Sequence, residues 1–433
     1  MKKLVSGYVK ALRLFQRDIR LLIACTVTVW LSLGIYSVLF NLFLVRLGYD
    51  APFVGLARAV GSLCFAGFGL VAGLLGRRFG SRNAAIAGVG GLTLAYGLMG
   101  LAELVPVHWR SPWLLVSNAL GWICVGSFFV NQGPFMMLHT TEEERKHAFS
   151  VSGMMTPLML FGGALLGGLL PGLFGGALGL PEDASAPYGL ALGACAVFTA
   201  AGMTLLWRTG KTQVAEAHQD GRRAVAMPLA IIGFLALFSF FRVTGEHALY
   251  TFLNVYFDLE LGISTAHIGV LFALGQFLAV PGAIAYPSLA ERWGDFRTIA
   301  FGVVGISLAL LPLILVPHWA PAVLSFAGVM AGAAVVNTAV FVYSLSVVPE
   351  RWRSVISGAT GMANGLGIAA ISMSGGIMVG TWGYRSFFGV SAAMTLLGAL
   401  VFWGYFRVPR GEFAREVVEQ PGVPLLAAEG SAD

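Results

Sequence analysis

The stretch "GLLGRRFGSR", Gly73 to Arg82, breaks a chain that is otherwise almost continuously apolar, and "PSLAERWGDFR", Pro287 to Arg297, breaks it again in the same manner. Shifted by 214 residues, the first lies on the second, with Arg78 on Arg292 and Gly80 on Gly294. The register extends outward on both sides: Gly48 meets Gly262, Gly55 meets Gly269, Gly61 meets Gly275, Gly88 meets Gly302 and Gly91 meets Gly305. At slightly shorter shifts "PVHW" (106–109) meets "PHW" (317–319), and Glu144-Arg145 meets Glu350-Arg351. The second half of the chain therefore repeats the first in the same order. Self-similarity of this kind is the signature of a duplicated structural unit.

What the unit is made of follows from composition. The chain has 433 residues, 57% hydrophobic and 11% charged, with a mean hydropathy of +0.80. Soluble domains carry about 25% charged residues. Apolar runs long enough to cross a hydrocarbon core of about 30 Å recur throughout. We read twelve spans, near 20–45, 52–75, 83–104, 113–138, 148–177, 187–207, 228–257, 265–290, 298–316, 321–348, 353–381 and 385–407. This is an all-α integral membrane protein. A membrane β-barrel would show short alternating segments instead. An even number of spans separates the copies, so they share one orientation and form a parallel repeat of two six-helix bundles related by an axis along the membrane normal.

With the N-terminus in the cytosol, all but five of the 27 Lys and Arg fall in cytosolic segments; Arg46, Arg110 and Arg385 lie in outer loops, and Arg58 and Arg242 inside spans. The positive-inside rule then places both termini in the cytosol of a multi-pass plasma (inner) membrane protein. The division is a basic arm (1–19), a first bundle (20–207), a polar linker (208–227), a second bundle (228–407) and a tail (408–433) expected to be disordered. No cleavable signal peptide is expected. The basic arm reads as a topology signal, so no nucleic-acid partner is expected. Cys25, Cys64, Cys124 and Cys195 lie within spans and read as small apolar residues, and no metal site is expected.

The two quoted stretches resemble the signature loop of the major facilitator superfamily, roughly G-x-x-x-D-R-x-G-x-R/K. Gly73, Arg78, Gly80 and Arg82 match in the first copy, and Glu291, Arg292 and Gly294 in the second. The family's first-half Asp position is Arg77 here, which cannot accept hydrogen bonds. With the repeat, the resemblance covers residues 20 to 407. It implies alternating access and a loop that latches the outward-facing state. It also implies a central cavity lined by spans 1, 4, 7 and 10, and a self-sufficient monomer. Glycine at such a turn permits φ > 0, and the arginines can bind helix C-terminal carbonyls or carboxylates. Span 5 carries "GMMTPLMLFGGALLGGLLPG" (Gly153 to Gly172), which partly resembles the glycine motif of drug/proton antiporters, with its proline displaced to Pro171.

The stretch "FSFFRVTGEHALYTF" (238–252) is apolar enough to cross lipid yet holds Arg242, Glu246 and His247. Arg242 is near mid-membrane, and Glu246 follows one turn later on the same face. Charge at that depth marks a functional site by default. Glu246 is the expected proton carrier, with Arg242 tuning it and His247 a second titratable site. By helical spacing, the expected substrate cavity adds Trp30, Ser37 and Asn41 from span 1, and Asn118, Trp122 and Gln132 from span 4. Tyr250 joins it from span 7, and Asn337 and Phe341 from span 10. Arg58 and Glu103 are outer-gate candidates that could pair.

The leading expectation is a secondary active transporter working by alternating access, with export of amphipathic small molecules coupled to protons. No cofactor is expected beyond that gradient; no G-x-x-x-x-G-K-[ST] motif is present to draw on ATP. The runner-up is a lipid or lysolipid transporter, then a nutrient importer. An integral-membrane enzyme would need a catalytic cluster that the segments between spans do not supply, so no enzyme is expected. The topology is tested by single cysteines. One at Gln219, in the linker, should react with an impermeant maleimide only after permeabilisation; one at Asp183, between spans 5 and 6, should react in intact cells.

Overall fold

The computed structural model describes residues 15–181, 183–210, 227–349, 352–408 and 410. The N-terminal arm up to residue 14, most of the 208–227 linker and the tail from 411 lie outside the described residues. The described chain is helical. The helices are α1 (Arg17–Arg46), α2 (Ala51–Phe79), α3 (Ser81–Gly100), α4 (Val107–Leu138), α5 (Glu142–Leu178), α6 (Ala186–Trp207) and α7 (Leu229–Val255). Two longer runs are each two helices meeting at a glycine. Thr265–Ala309 divides at Gly294 (φ 75°) into α8 (265–293) and α9 (295–309). Arg353–Phe406 divides at Gly383 (φ 79°) into α11 (353–382) and α12 (384–406). Between them lies α10 (Trp319–Ser346), which makes twelve long helices among the described residues, matching the twelve spans once the 353–406 run is divided at Gly383.

The turn in each quoted motif is shorter than a loop. Helix α2 continues through Gly73, Arg77 and Arg78 to Phe79, and α3 starts at Ser81, so Gly80 alone (φ 87°) reverses the chain. Gly294 does the same in the second copy. A side chain with a Cβ is penalised at such φ, which is why glycine stands at both places. The six positive-φ glycines fall at matching places of the two halves: Gly48 with Gly262, Gly80 with Gly294, Gly179 with Gly383.

In the first bundle α1 packs on α5 and α6, and α3 on α4 and α6; in the second, α7 packs on the 353–406 run and α10 on the 265–309 run. Large aromatic residues fill the interiors, among them Tyr96 and Phe128 in one bundle and Phe252 and Phe387 in the other. The outer surface is apolar as well, with Leu173, Val197, Ile284 and Leu400 exposed, as a lipid-facing surface requires. Cys25, Cys124 and Cys195 are buried and Cys64 half-buried; all four are free.

The bundles meet along two seams, α2 with α11 and α5 with α8. Near the end opposite the chain termini, called here the far end, these seams are backbone against backbone. A Cβ built on Gly168 of α5 would lie 2.8 Å from the Gly269 Cα of α8. One built on Gly376 of α11 would lie 2.6 Å from the Ala51 carbonyl of α2. Gly168→Leu should therefore lower the melting temperature of the purified protein, the expected cost of overpacking being about 1–3 kcal/mol. Gly172→Leu, on the same helix with nothing within 4 Å of its Cβ, should leave it nearly unchanged. Equal effects would show that the glycine seam is not tightly packed.

Candidate functional site in the central cavity

Helix α7 carries the charges. Arg242 stands 13 residues from its start, about 20 Å along the axis, at mid-span. An unpaired charge at that depth costs about 2.5–3.5 kcal/mol on insertion scales, so the chain must supply partners. It does so with amides. Arg242, only 4% exposed, donates from Nη1 to Asn337 Oδ1 on α10 (2.6 Å) and from Nη2 to Asn364 Oδ1 on α11 (3.4 Å). Its Nε–H is enclosed with no acceptor among the described residues.

The i, i+4 spacing placed Glu246 beside Arg242. Among the described residues the structure shows no ion pair between them within 4.0 Å, because the guanidinium turns away toward the α10 and α11 amides. Glu246 makes no hydrogen bond among the described residues. With His247 and Tyr250 it forms the partly accessible face of α7. Gln276 of α8 donates to the Tyr250 hydroxyl (2.7 Å), and His247 stacks obliquely on the Tyr250 ring at 5.6 Å. Asn337 and Phe341 stand one turn apart on an exposed stripe of α10, with Phe341 61% exposed.

On the first bundle, Tyr36 of α1 is the hub. It donates to Asn118 Oδ1 on α4 (2.7 Å) and accepts from Trp122 Nε1 (3.3 Å), while Asn118 donates to the Ala57 carbonyl of α2 (2.6 Å). Asn118 is fully buried and ties three helices together. Gln132, 9% exposed, does the same between α1 and α5 by donating to Thr26 Oγ1 (2.9 Å) and Ser152 Oγ (3.2 Å). These two amides hold helices together. Trp30 stacks on Phe129 at 4.7 Å, and Ser37 donates to the Gly34 carbonyl of its own helix (2.7 Å). Both are half-buried.

Arg58 of α2 lies seven residues from that helix's far-end start, about 10 Å inward. Its guanidinium sits 5.2 Å from the Tyr36 ring centroid and 5.7 Å from that of Phe40, a cation–π arrangement. Its Nε donates to Asn41 Oδ1 (2.8 Å), and its Nη2 is enclosed with no acceptor among the described residues. Arg58 does not pair with Glu103. Glu103 stands in the surface turn Ala102–Leu104 at the far end, accepting from the Ser185 hydroxyl (2.7 Å).

The contacts that close the far end lie elsewhere. Arg46, the last residue of α1, grips Asp258 just beyond α7 with both terminal nitrogens (2.8 and 2.6 Å). One layer deeper, Asn41 donates to the Thr251 carbonyl (2.5 Å) and to Asn254 Oδ1 (3.2 Å), and Asn254 donates to the Val38 carbonyl (2.9 Å). Tyr188 and Thr265 share a hydrogen bond of 2.6 Å. These hydrogen bonds between the bundles all lie at the far end.

The signature-motif residues stand at the end that carries the termini. Arg77, Arg78, Glu291 and Arg292 are exposed and form no ion pair among the described residues. Arg78 rests over its neighbour Phe79 at 5.4 Å. Arg82 is buried at the C-terminus of α6, donating to the Trp207 carbonyl (2.6 Å) and Thr209 Oγ1 (2.9 Å), so it holds its own bundle together. Gly73 lies within α2. Among the described residues, no group of three His, Cys, Asp or Glu side chains could hold a metal ion.

Sequence reasoning did not single out Tyr36, Gln276, Asn364 or the Arg46–Asp258 pair. Asn364 had a signal, being an amide in a span built of Gly, Ala, Ile and Met. Arg46 and Asp258 carried none, since each looks like an ordinary span-end charge.

The family model described as Major Facilitator Superfamily matches residues 22–372. No curated protein matches the chain by sequence. Among solved structures, a single-site mutant of the nucleoside transporter NupG superposes with a TM-score of 0.75 at 13% identity, covering 90% of this chain and 100% of that one. A bacterial homologue of the human lysosomal transporter Spinster, inward-facing and occupied, superposes at 0.70 with 15% identity, covering 90% and 96%. The inward-open xylose transporter XylE from E. coli superposes at 0.70 with 13% identity, covering 93% and 97%. The match spans most of the chain and agrees with the helix count and the parallel repeat: the chain belongs to the major facilitator superfamily and is a transporter, not an enzyme.

Proposed function

We propose that this transporter is a proton-coupled secondary carrier of amphipathic organic solutes, working by alternating access, with Glu246 as the coupling group. One observation carries the reading. Glu246 is the single carboxylate deep within a span, it stands on the partly accessible face of α7, and it is held by no ion pair among the described residues. A carboxylate with no fixed partner can gain and lose a proton as its surroundings change, and rocking the bundles changes them. The aromatic and amide walls around it suit a solute with an apolar body and a polar group.

The basic segments support cytosolic termini in a plasma (inner) membrane. On that topology the far end is the outer one, and the arrangement described is inward-facing. The likeness to two inward-facing transporters supports the same state. Arg46–Asp258 and the Asn41 layer then form the closed outer gate, and the exposed motif residues are an inner latch that is disengaged. A monomer suffices, since each half buries its own core. Export was the leading direction from sequence because of the span-5 glycines. Gly163 and Gly167 pack against Gly34 and Ile35 of α1, so close helix packing accounts for that spacing.

Two outcomes test this reading. In proteoliposomes with a pH gradient imposed in either sense, the wild type should accumulate an amphipathic xanthene dye, and Glu246→Gln should lose the gradient-driven component. Equal gradient-driven uptake by both proteins would remove Glu246 as the coupling group. Separately, Asp258→Asn should loosen the outer gate. A charge-assisted pair is worth about 1.5–3 kcal/mol, so the outward-open population should rise roughly 10- to 150-fold. The readout is the rate at which an impermeant thiol reagent, added from outside, reaches a cysteine at Ser37. An unchanged rate would show that the pair does not gate.

A further inference from the structure

The charges inside the spans do not balance. Two guanidiniums, Arg58 and Arg242, stand against one carboxylate, Glu246. They belong to different bundles, and neither is paired with an acid within 4.0 Å among the described residues. Each keeps an enclosed N–H with no acceptor among those residues, Nη2 on Arg58 and Nε on Arg242. His247 lies within electrostatic reach of Arg58, Arg242 and Glu246 together. Arg58 is also tied through Asn41 to the Thr251 carbonyl, one turn beyond His247 on α7.

The groups around this cluster do not cancel the excess. Arg242, His247 and Tyr250 share a helix with Glu246, Arg58 of α2 acts on the neighbouring His247, and Tyr36 of α1 is the aromatic partner of Arg58. The second bundle adds only neutral amides, Asn337, Asn364 and Gln276. The cavity therefore carries at least one net positive charge whether or not His247 is protonated.

We infer that the transported solute is an organic anion whose charged group sits between Arg58 and Arg242, and that it crosses together with the proton on Glu246. This rests on the transporter reading and deepens it to a substrate class and a coupling sign. A carboxylate or phosphate ester accepts several hydrogen bonds from planar guanidiniums and neutralises them. An ionised Glu246 beside it repels the anion, and a protonated one does not. Proton and anion therefore favour each other's binding, and by linkage the preference is reciprocal. Such a pair moves as a symport: the proton on the Glu246 carboxyl and the anion leave to the same side. A cationic solute would meet the opposite field.

The test compares two dyes on the same tricyclic core, anionic carboxyfluorescein and cationic tetramethylrosamine, in proteoliposomes of the full chain. Carboxyfluorescein should enter, faster with acid outside, and tetramethylrosamine should not. Arg58→Gln and Arg242→Gln should each cut the anion uptake by at least about tenfold, the range for removing one partner of an enclosed charge contact. Arg58→Lys and Arg242→Lys should restore part of it. Carriage of the cation, anion uptake driven by acid inside, or undiminished uptake by Arg58→Gln would each overturn the inference. Loss of coupling is read separately. Anion uptake that ignores the gradient in Glu246→Gln and wild type alike, yet vanishes in the arginine variants, would sink the proton coupling and leave the anion site standing. A second measurement does not depend on dye size. Benzoate or phenyl phosphate should raise the melting temperature of the purified wild type, benzyl alcohol should not, and neither anion should shift Arg242→Gln. No anion-specific shift in the wild type would overturn the site.

Discussion

Hydrocarbon offers no hydrogen bonds, and every other feature of this molecule follows from that. Backbone groups must be satisfied within helices, so the chain is helical from end to end of its described spans. Side-chain charge cannot face lipid, so Arg58, Arg242 and Glu246 are turned inward, away from the hydrocarbon. The same constraint decides how they are held. Arg242 is clasped by two amides from α10 and α11, and Arg58 by Asn41 and two aromatic faces, in place of a countercharge. Neutral acceptors orient a guanidinium without cancelling it. The positive field stays available to something that arrives from outside the protein.

The far end and the end that carries the termini differ in kind. At the far end the bundles are bound by a bidentate ion pair, an amide layer and two stretches of touching backbone. At the terminal end the motif arginines and Glu291 face outward with no counterpart among the described residues. One set of contacts must break before the other can form, which is the energetic content of two alternating states. Because the amide layer at Asn41 also holds Arg58, the far-end contacts and the charge within the span are not separate objects. Moving Asn41 off Thr251 frees the residue that positions that charge.

Much of the fold was legible in the sequence because glycine positions are absolute. Gly48 and Gly262, Gly80 and Gly294 occupy backbone conformations that other residues resist, so the duplication survives at those places when side chains have diverged. Gly179 and Gly383 stand in equivalent turns, but insertions put them out of the common register, and a fixed shift passes over them. The site was legible only where charge betrays itself. An arginine or glutamate in an apolar run has few explanations, whereas a neutral amide has two. Asn118 and Gln132 turned out to fasten helices, while Asn364 and Gln276, no more conspicuous, support the charged cluster. Sequence gives a residue's depth well and its azimuth poorly. Arg58 and Glu103 look like partners at similar depth, though one turns toward Asn41, Tyr36 and Phe40 of α1 and the other stands in a surface turn.

The seams at the far end repay a mechanical reading. Helices usually mesh through side chains, ridge into groove, and separating them means withdrawing each tooth from its socket. Where Gly168 meets Gly269, and Gly376 meets Ala51, there are no teeth. Two smooth backbone surfaces lie against each other, one on each side of the central gap, like the paired journals of an axle. Such surfaces can roll through a range of angles with nothing to disengage and little to choose among intermediate positions. The friction of the cycle then resides in the few polar contacts above them. The glycines leave a smooth line of contact between the bundles, and what fastens them there is a handful of hydrogen bonds.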